Sequence, residues 1–145
     1  MHESRFRQVA ADFFVAPQLG TEDFAAARAA GIRTVINNRP DGEAPDQLGD
    51  AEARALAEAA GLAYAFVPVT TGSIGPDTVA AFAAAVERNL GPYLAYCRSG
   101  TRSCHMWAFM AARRRPPQEI VEAAAAAGYD LSPVLPVLRR LAGEG

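Results

Sequence analysis

An α/β fold, with a central, mostly parallel sheet of four to five strands flanked by helices, is predicted by three observations on the chain. Short runs rich in β-branched or aromatic residues, such as Ile32-Arg33-Thr34-Val35-Ile36 and Pro92-Tyr93-Leu94-Ala95-Tyr96, alternate with alanine-rich segments of helical length. Gly, Pro or acidic capping signals mark the changeovers between them. The 145 residues are 50% hydrophobic, which suits one domain over 1–145 with a substantial core and leaves no room for a second of ordinary size.

Taken in order, residues 1–8 are polar and read as a weakly ordered tail. Val9 to Ala16, containing Phe13, Phe14 and Val15, reads as an edge or first strand that ends at Pro17. Thr21 is placed as an N-cap, with Glu22 and Asp23 in the first turn where the helix dipole favours acids. That helix is expected to run to about Ala30, and Gly31 stops it. Ile32 to Ile36 is the β-branched pattern of a central strand. The following NNRPDGEAPDQLGD, residues 37–50, is dense in turn formers and charge. At the carboxyl end of a strand it lies on the rim where open α/β sheets gather ligands, so Arg39, Asp41 and Glu43 are candidates for substrate contact. The alternative is a solvated turn tipped by Asp41-Gly42.

Asp50 is expected to cap a helix over Ala51 to Ala60, closed by Gly61. Leu62 to Val69 is the third strand, and Pro68 near its end turns the chain out of the sheet. A loop over Thr70 to Gly75 precedes a helix opened by Gly75-Pro76-Asp77 and continuing to about Leu90. Gly91-Pro92 then leads into the apolar run ending at Tyr96. Arg113-Arg114-Arg115-Pro116-Pro117 reads as a solvated helix end, Gln118 to Ala127 as a helix, and Leu131 to Leu141 as a final helix with Pro133 in its first turn and a kink at Pro136.

The stretch that organises the chain is PYLAYCRSGTRSCHMWAFMAA, residues 92–112. It passes from a buried strand to a helix through Arg98-Ser99-Gly100-Thr101-Arg102. The first N–H groups of a helix lack intrahelical partners and carry partial positive charge, so this turn makes an anion cradle. Cysteines in such places, beside Arg, have pKa values lowered to about 3.5–7.5, which makes Cys97 a nucleophile candidate. Arg102 brings a planar cationic fork suited to an oxyanion, and Gly100 the backbone freedom that aims the amides. Arg98 attracts an anionic substrate, Ser99 and Thr101 hydrogen-bond within the loop, and Ser103 is placed to donate to the Cys97 sulfur. Cys104 is read as a packing residue, with a resolving-thiol role as the alternative, and His105 as a helix residue. His2 lies in the tail, so no Cys-His dyad is expected.

The run CRSGTRS resembles the active-site loop of rhodanese-type sulfurtransferases. Together with TEDFAAARAAGIRTVINNRPDGE and LAYAFVPVTTG, it also resembles the phosphatase-like domain of the beta-lactamase hydrolase-like proteins over about residues 10–112. The resemblance implies a protein-tyrosine/dual-specificity-phosphatase-like architecture, and it supports Arg39, Asp41 and Glu43 as candidates for substrate contact through the shared RPDGE string. Against the phosphatase pattern, four residues rather than five separate Cys97 from Arg102, and Tyr96 stands where His precedes the cysteine. Thr70 and Thr71 stand where an acidic proton donor is normal.

These departures favour a Cys-dependent sulfurtransferase that passes sulfane sulfur from thiosulfate or a persulfide, through a Cys97 persulfide, to a thiol or cyanide. A thiolate or sulfite leaves without the protonation that an alkoxide needs. The alternatives are a phosphatase acting through a Cys97 phosphocysteine with Asp41 as the acid, and a non-catalytic anion- or partner-binding module. The sulfur-transfer reading requires the Arg102 guanidinium to face the sulfur and the sulfur to be reachable from solvent.

A net charge of −2 with no dominant basic face argues against nucleic acid as partner. Apolar runs fall short of membrane-spanning length, and the N-terminus is not signal-peptide-like, so a cytoplasmic bacterial protein is expected. Two cysteines make neither a disulfide framework nor a metal site, and no cofactor is implied. The substrate is expected to be a small anion: thiosulfate, a persulfide or a phosphate ester. Oligomeric state is left open.

Overall fold

In the computed structural model, which describes residues 5–143, five strands form one sheet in the order β1-β2-β5-β3-β4. β1 is Arg7–Ala10, β2 Phe13–Ala16, β3 Thr34–Asn37, β4 Ala63–Phe66 and β5 Tyr93–Tyr96. β2, β5, β3 and β4 are mutually parallel, and β1 is antiparallel to β2. The helices are α1 Asp23–Ala29, α2 Asp50–Ala59, α3 Pro76–Arg88, α4 Thr101–Ala111, α5 Pro117–Ala126 and α6 Leu135–Leu141. The sheet therefore has the number of strands and the mostly parallel order expected of the α/β alternation.

Period-two alternation in β5 divides the core. Leu94 and Tyr96 face one side with Val35, Phe24 of α1 and Ala53 and Ala57 of α2. Tyr93 and Ala95 face the other with Ile36, Phe82 of α3 and Met106, Trp107 and Phe109 of α4. Each large side chain so buried contributes about 2 kcal/mol, and these three α4 residues anchor the helix that carries the cradle. Every residue of β3 and β5 is buried, as two-sided covering of a parallel sheet demands.

Several boundaries differ from expectation. Residues 1–4, which include His2, lie outside the described residues, but 5–8 are not a tail: Phe6 is buried and β1 starts at Arg7. Val9 to Ala16 is two strands of a hairpin, turned at Ala11-Asp12, and β2 lies inside the sheet rather than at its edge. Thr21 does not cap α1; instead the Asp23 carboxylate accepts the Gly20 N–H at 2.7 Å. Gly49 rather than Asp50 is the N-cap of α2, and its N–H donates to Glu52 at 3.2 Å. Pro136 makes no kink, because the chain breaks earlier: Ser132–Val134 form a 3₁₀ turn and Pro136 falls in the first turn of α6, where its missing N–H costs nothing. No helix among the described residues is long and apolar enough to cross a membrane.

Candidate active site

The carboxyl ends of β2, β3, β4 and β5 lie on one rim because these strands are parallel. Their exits bring Gln18, Asn38 to Glu43, Val69 and Cys97 together. The turn after β5 is tied on both sides: the Cys97 N–H donates to the Ala16 carbonyl at 3.4 Å and the Gln18 N–H to the Arg98 carbonyl at 3.2 Å. α4 then begins behind Gly100, an N-cap without a side chain. Gly100 offers no capping oxygen, so the Thr101 N–H donates instead to Ser99 Oγ at 3.3 Å, and the Arg102 and Ser103 amides that follow are left for an external anion.

Gly100 has φ +96°, and its N–H donates to the Cys97 sulfur at 3.1 Å. A Cβ there would collide with the Tyr129 hydroxyl and approach the Ala16 carbonyl carbon to 3.3 Å. Tyr129 itself donates to the Ser99 carbonyl at 3.1 Å, so the turn is clamped from the α5 side. Gly100→Ala is therefore expected to destabilise the protein by about 1–3 kcal/mol in a thermal melt and to abolish anion binding, since backbone strain and the collision both displace the loop.

Arg102 is largely buried, with 12% of its side chain exposed. Nη1 donates to the Val69 carbonyl at 2.8 Å and to Glu43 Oε2 at 2.7 Å, and Nη2 to Glu43 Oε1 at 2.8 Å. The Glu43 hydrogen bonds are the main cause of a raised Arg102 pKa, and the neighbouring Cys97 sulfur adds to it. The fork is thus held by Glu43 and Val69 with the Cys97 sulfur as a charged neighbour. Solvent access to the sulfur does not match the sequence reading: Cys97 is 0% exposed. The open pocket at this turn is lined by Glu43, Thr71, Arg98, Ser99, Arg102 and His105, among others, and Cys97 is not part of its lining.

The remaining predicted residues separate into two groups. Ser99, Thr101 and Arg98 line the cradle, and the Ser99 and Thr101 hydroxyls hydrogen-bond to each other at 3.0 Å. Ser103, by contrast, donates not to Cys97 but to Asn38 Oδ1 at 2.9 Å, both residues being fully buried. Arg39 is also buried; it donates through Nε to Glu43 Oε1 and through Nη1 to Gln18, each at 3.0 Å, and so buttresses Glu43 without lining the pocket. Asp41 is turned to α2, where Oδ1 accepts the Asp50 N–H at 2.8 Å, a capping task that takes it away from the cradle. Tyr96 points to the α1 side, edge-on to Phe24. Cys104 is in the core, and burial pushes its thiol up to about 12, a protonated packing residue.

Glu43 is the residue whose importance the sequence understated. Hydrogen bonds from Arg102 first, and then Arg39, hold its carboxyl down to about 2 against the opposing effect of burial. A group depressed in the folded state stabilises above its unfolded pKa, near 4.5, and loses that contribution as pH falls towards 2. Allowing for its partial exposure, Glu43→Gln is expected to cost about 1–2 kcal/mol at pH 7. The deficit, followed by denaturant titration, should shrink steadily between pH 4.5 and 2; a deficit independent of pH would contradict the ion pair. Three other residues were missed. Asn38 bridges Val67 and Ser103, Tyr129 clamps the turn, and His105, half-buried with its pKa lowered by burial, faces the cradle from α4. Only the Asn37-Asn38 pair at a strand end gave any hint.

Comparison with known proteins agrees with this architecture. A beta-lactamase hydrolase-like protein of Xylella fastidiosa is 37% identical over 130 residues, 88% of this chain and 30% of that protein. The chain thus spans less than a third of the length of the curated relative it matches. The crystal structure of a candidate phosphatase from Neisseria meningitidis superposes with TM-score 0.84 at 33% identity, covering 94% of this chain and 98% of that one. The catalytic core of a PP-IP phosphatase from S. cerevisiae, solved with citrate, shares the fold at TM-score 0.62 and 14% identity, covering 97% and 91%. The sheet and its helices are accordingly of the protein-tyrosine/dual-specificity-phosphatase-like kind. Residues 5–114 match the model of one family, and the chain belongs to it: the phosphatase-like domain of the beta-lactamase hydrolase-like proteins.

Proposed function

We propose that this domain hydrolyses phosphate monoesters through a phosphocysteine at Cys97, in a reducing, cytoplasmic compartment. The observation that supports the reading is the Cys97–Arg102–Glu43 arrangement on a phosphatase-like fold: a guanidinium near the sulfur that two carboxylate oxygens hold in register. The expectation of sulfur transfer gives way to it, since family and fold support a phosphatase-like domain and lend none to a sulfurtransferase.

In the first step the Cys97 thiolate attacks phosphorus; the S–P bond forms, the P–O bond to the leaving group breaks, and the departing oxyanion takes its proton from solvent. Water then attacks the phosphocysteine, releasing inorganic phosphate and the thiolate. Arg102 and the amides of the turn neutralise charge on the phosphoryl oxygens. Because Cys97 is covered, the exposed Arg98–Ser99 segment must shift to admit phosphorus to the sulfur.

Glu43 is the one carboxylate lining the pocket among the described residues, and it is held ionised. Asp41 is engaged with α2 and Asp77 sits in the first turn of α3, so neither supplies a proton. Turnover is therefore expected to fall steeply across substituted phenyl phosphates, on the order of tenfold per unit of leaving-group pKa. Equal rates for 4-nitrophenyl and phenyl phosphate would reveal a proton donor and contradict this scheme, and no turnover of any aryl phosphate would remove the reading. Sulfur transfer keeps one specific observation in its favour, the four-residue ring from Cys97 to Arg102.

A further inference from the structure

A second cavity deepens the phosphohydrolase reading, on which this inference rests. A groove of about 740 Å³ lies between α3 and α6 over α4. Val79, Ala83 and Ala84 on α3 face Val137 and Leu141 on α6, with Phe109 between them. α3 buries Phe82 and Ala85 in the core, and beside them Val79, Val137 and Leu141 are only partly buried where the groove opens. Ile74 and His105 line both this groove and the cradle, so the two cavities adjoin at these side chains.

The order of chemistry along that path is specific. At the cradle end stand Arg98, the Arg102–Glu43 ion pair and the N-terminus of α4, a lining with one cation in excess; beyond His105 the lining is apolar until Glu87 and Arg113 at the far end. From Pro76 to Glu87 the helix advances about 16 Å, room for a ring and an octyl chain. A cationic head site opening into an apolar trough of this size matches a small ligand with a charged head and a hydrocarbon tail. We propose that the domain takes amphiphilic phosphate monoesters, with the phosphoryl group in the Cys97–Arg102 cradle and the apolar tail in the α3–α6 groove.

The test uses 4-butyl-, 4-hexyl- and 4-octylphenyl phosphate below their micelle concentrations, a series of nearly constant leaving-group basicity. With half the logarithmic gain of full burial, kcat/KM is expected to rise about twofold per methylene, roughly 16-fold from butyl to octyl. Ala83→Trp fills the trough and should flatten the series. A flat series in the unaltered protein overturns the proposal, whether or not that variant folds.

Calorimetric binding of the same esters to Cys97→Ser separates this inference from the one beneath it. Affinity of the variant that climbs with tail length, while the unaltered protein hydrolyses no ester, upholds the groove and refutes the phosphohydrolase reading; hydrolysis of all esters by the unaltered protein with equal affinity and rate does the reverse. Sedimentation showing a dimer that Ala83→Trp dissociates would give the groove to a second copy. Higher kcat/KM for an apolar phosphotyrosyl peptide than for the octyl ester would give it to a peptide. Either result overturns the proposal.

Discussion

Cys97→Ser is expected to lower aryl phosphate hydrolysis by about 10⁴ or more while leaving the fold intact. The sulfur is fully enclosed and accepts a hydrogen bond from the Gly100 N–H at 3.1 Å, so a smaller hydroxyl fits without collision. What is lost is nucleophilicity. A serine hydroxyl attacks only when a base removes its proton, and among the described residues no imidazole hydrogen-bonds to position 97. His105 lines the pocket, but on the next turn of α4 and with no bond to the sulfur. Steady-state kinetics with a thermal melt on the same sample checks this: an unchanged melting temperature with activity within tenfold of the parent would contradict Cys97 as the nucleophile.

Arg102→Lys is expected to cost about 10²–10³ in kcat, a larger loss than a conserved charge suggests. Two nitrogens of Arg102 meet the two oxygens of Glu43, and one of them also meets the Val69 carbonyl, which together fix the plane of the fork. An ammonium is a single point charge and cannot hold both carboxylate oxygens and the carbonyl while facing an anion. The same substitution removes the principal cause of the low Glu43 pKa, leaving Arg39 as its partner. The split to measure is kcat against the inhibition constant of inorganic phosphate, with both expected to worsen; kcat within threefold of the parent would show that the fork's geometry is irrelevant.

The strand, turn and helix around Cys97 were legible because each carries a local signal: a continuous apolar run, a glycine between two arginines, then large apolar residues at helical spacing. α2 and α3 were legible from their glycine and proline boundaries. The β1–β2 hairpin was not, since Ala11-Asp12 is a weak turn signal inside an otherwise apolar stretch, and two four-residue strands read as one. Proline positions marked a break near α6 but not its side.

At the site, the proposed nucleophile and its arginine stand out in the sequence because they share one short loop. Glu43 meets Arg102 across 59 residues of sequence, and the same loop offered Asp41 and Arg39 as equally charged neighbours. What distinguishes the three is direction: Asp41 turns to the start of α2, Arg39 goes under the rim, and Glu43 alone reaches the fork. Ser103 was misread for a related reason, because its buried partner Asn38 belongs to a different strand exit.

The most direct test mixes the protein with an aryl phosphate and, in parallel, with thiosulfate, quenches each within the first turnovers and weighs the peptide that carries Cys97. The account predicts a gain of one phosphoryl group from the ester, absent in Cys97→Ser and lost on continued incubation in water. A gain of one sulfur atom from thiosulfate, with no phosphoryl gain from the ester, would contradict it.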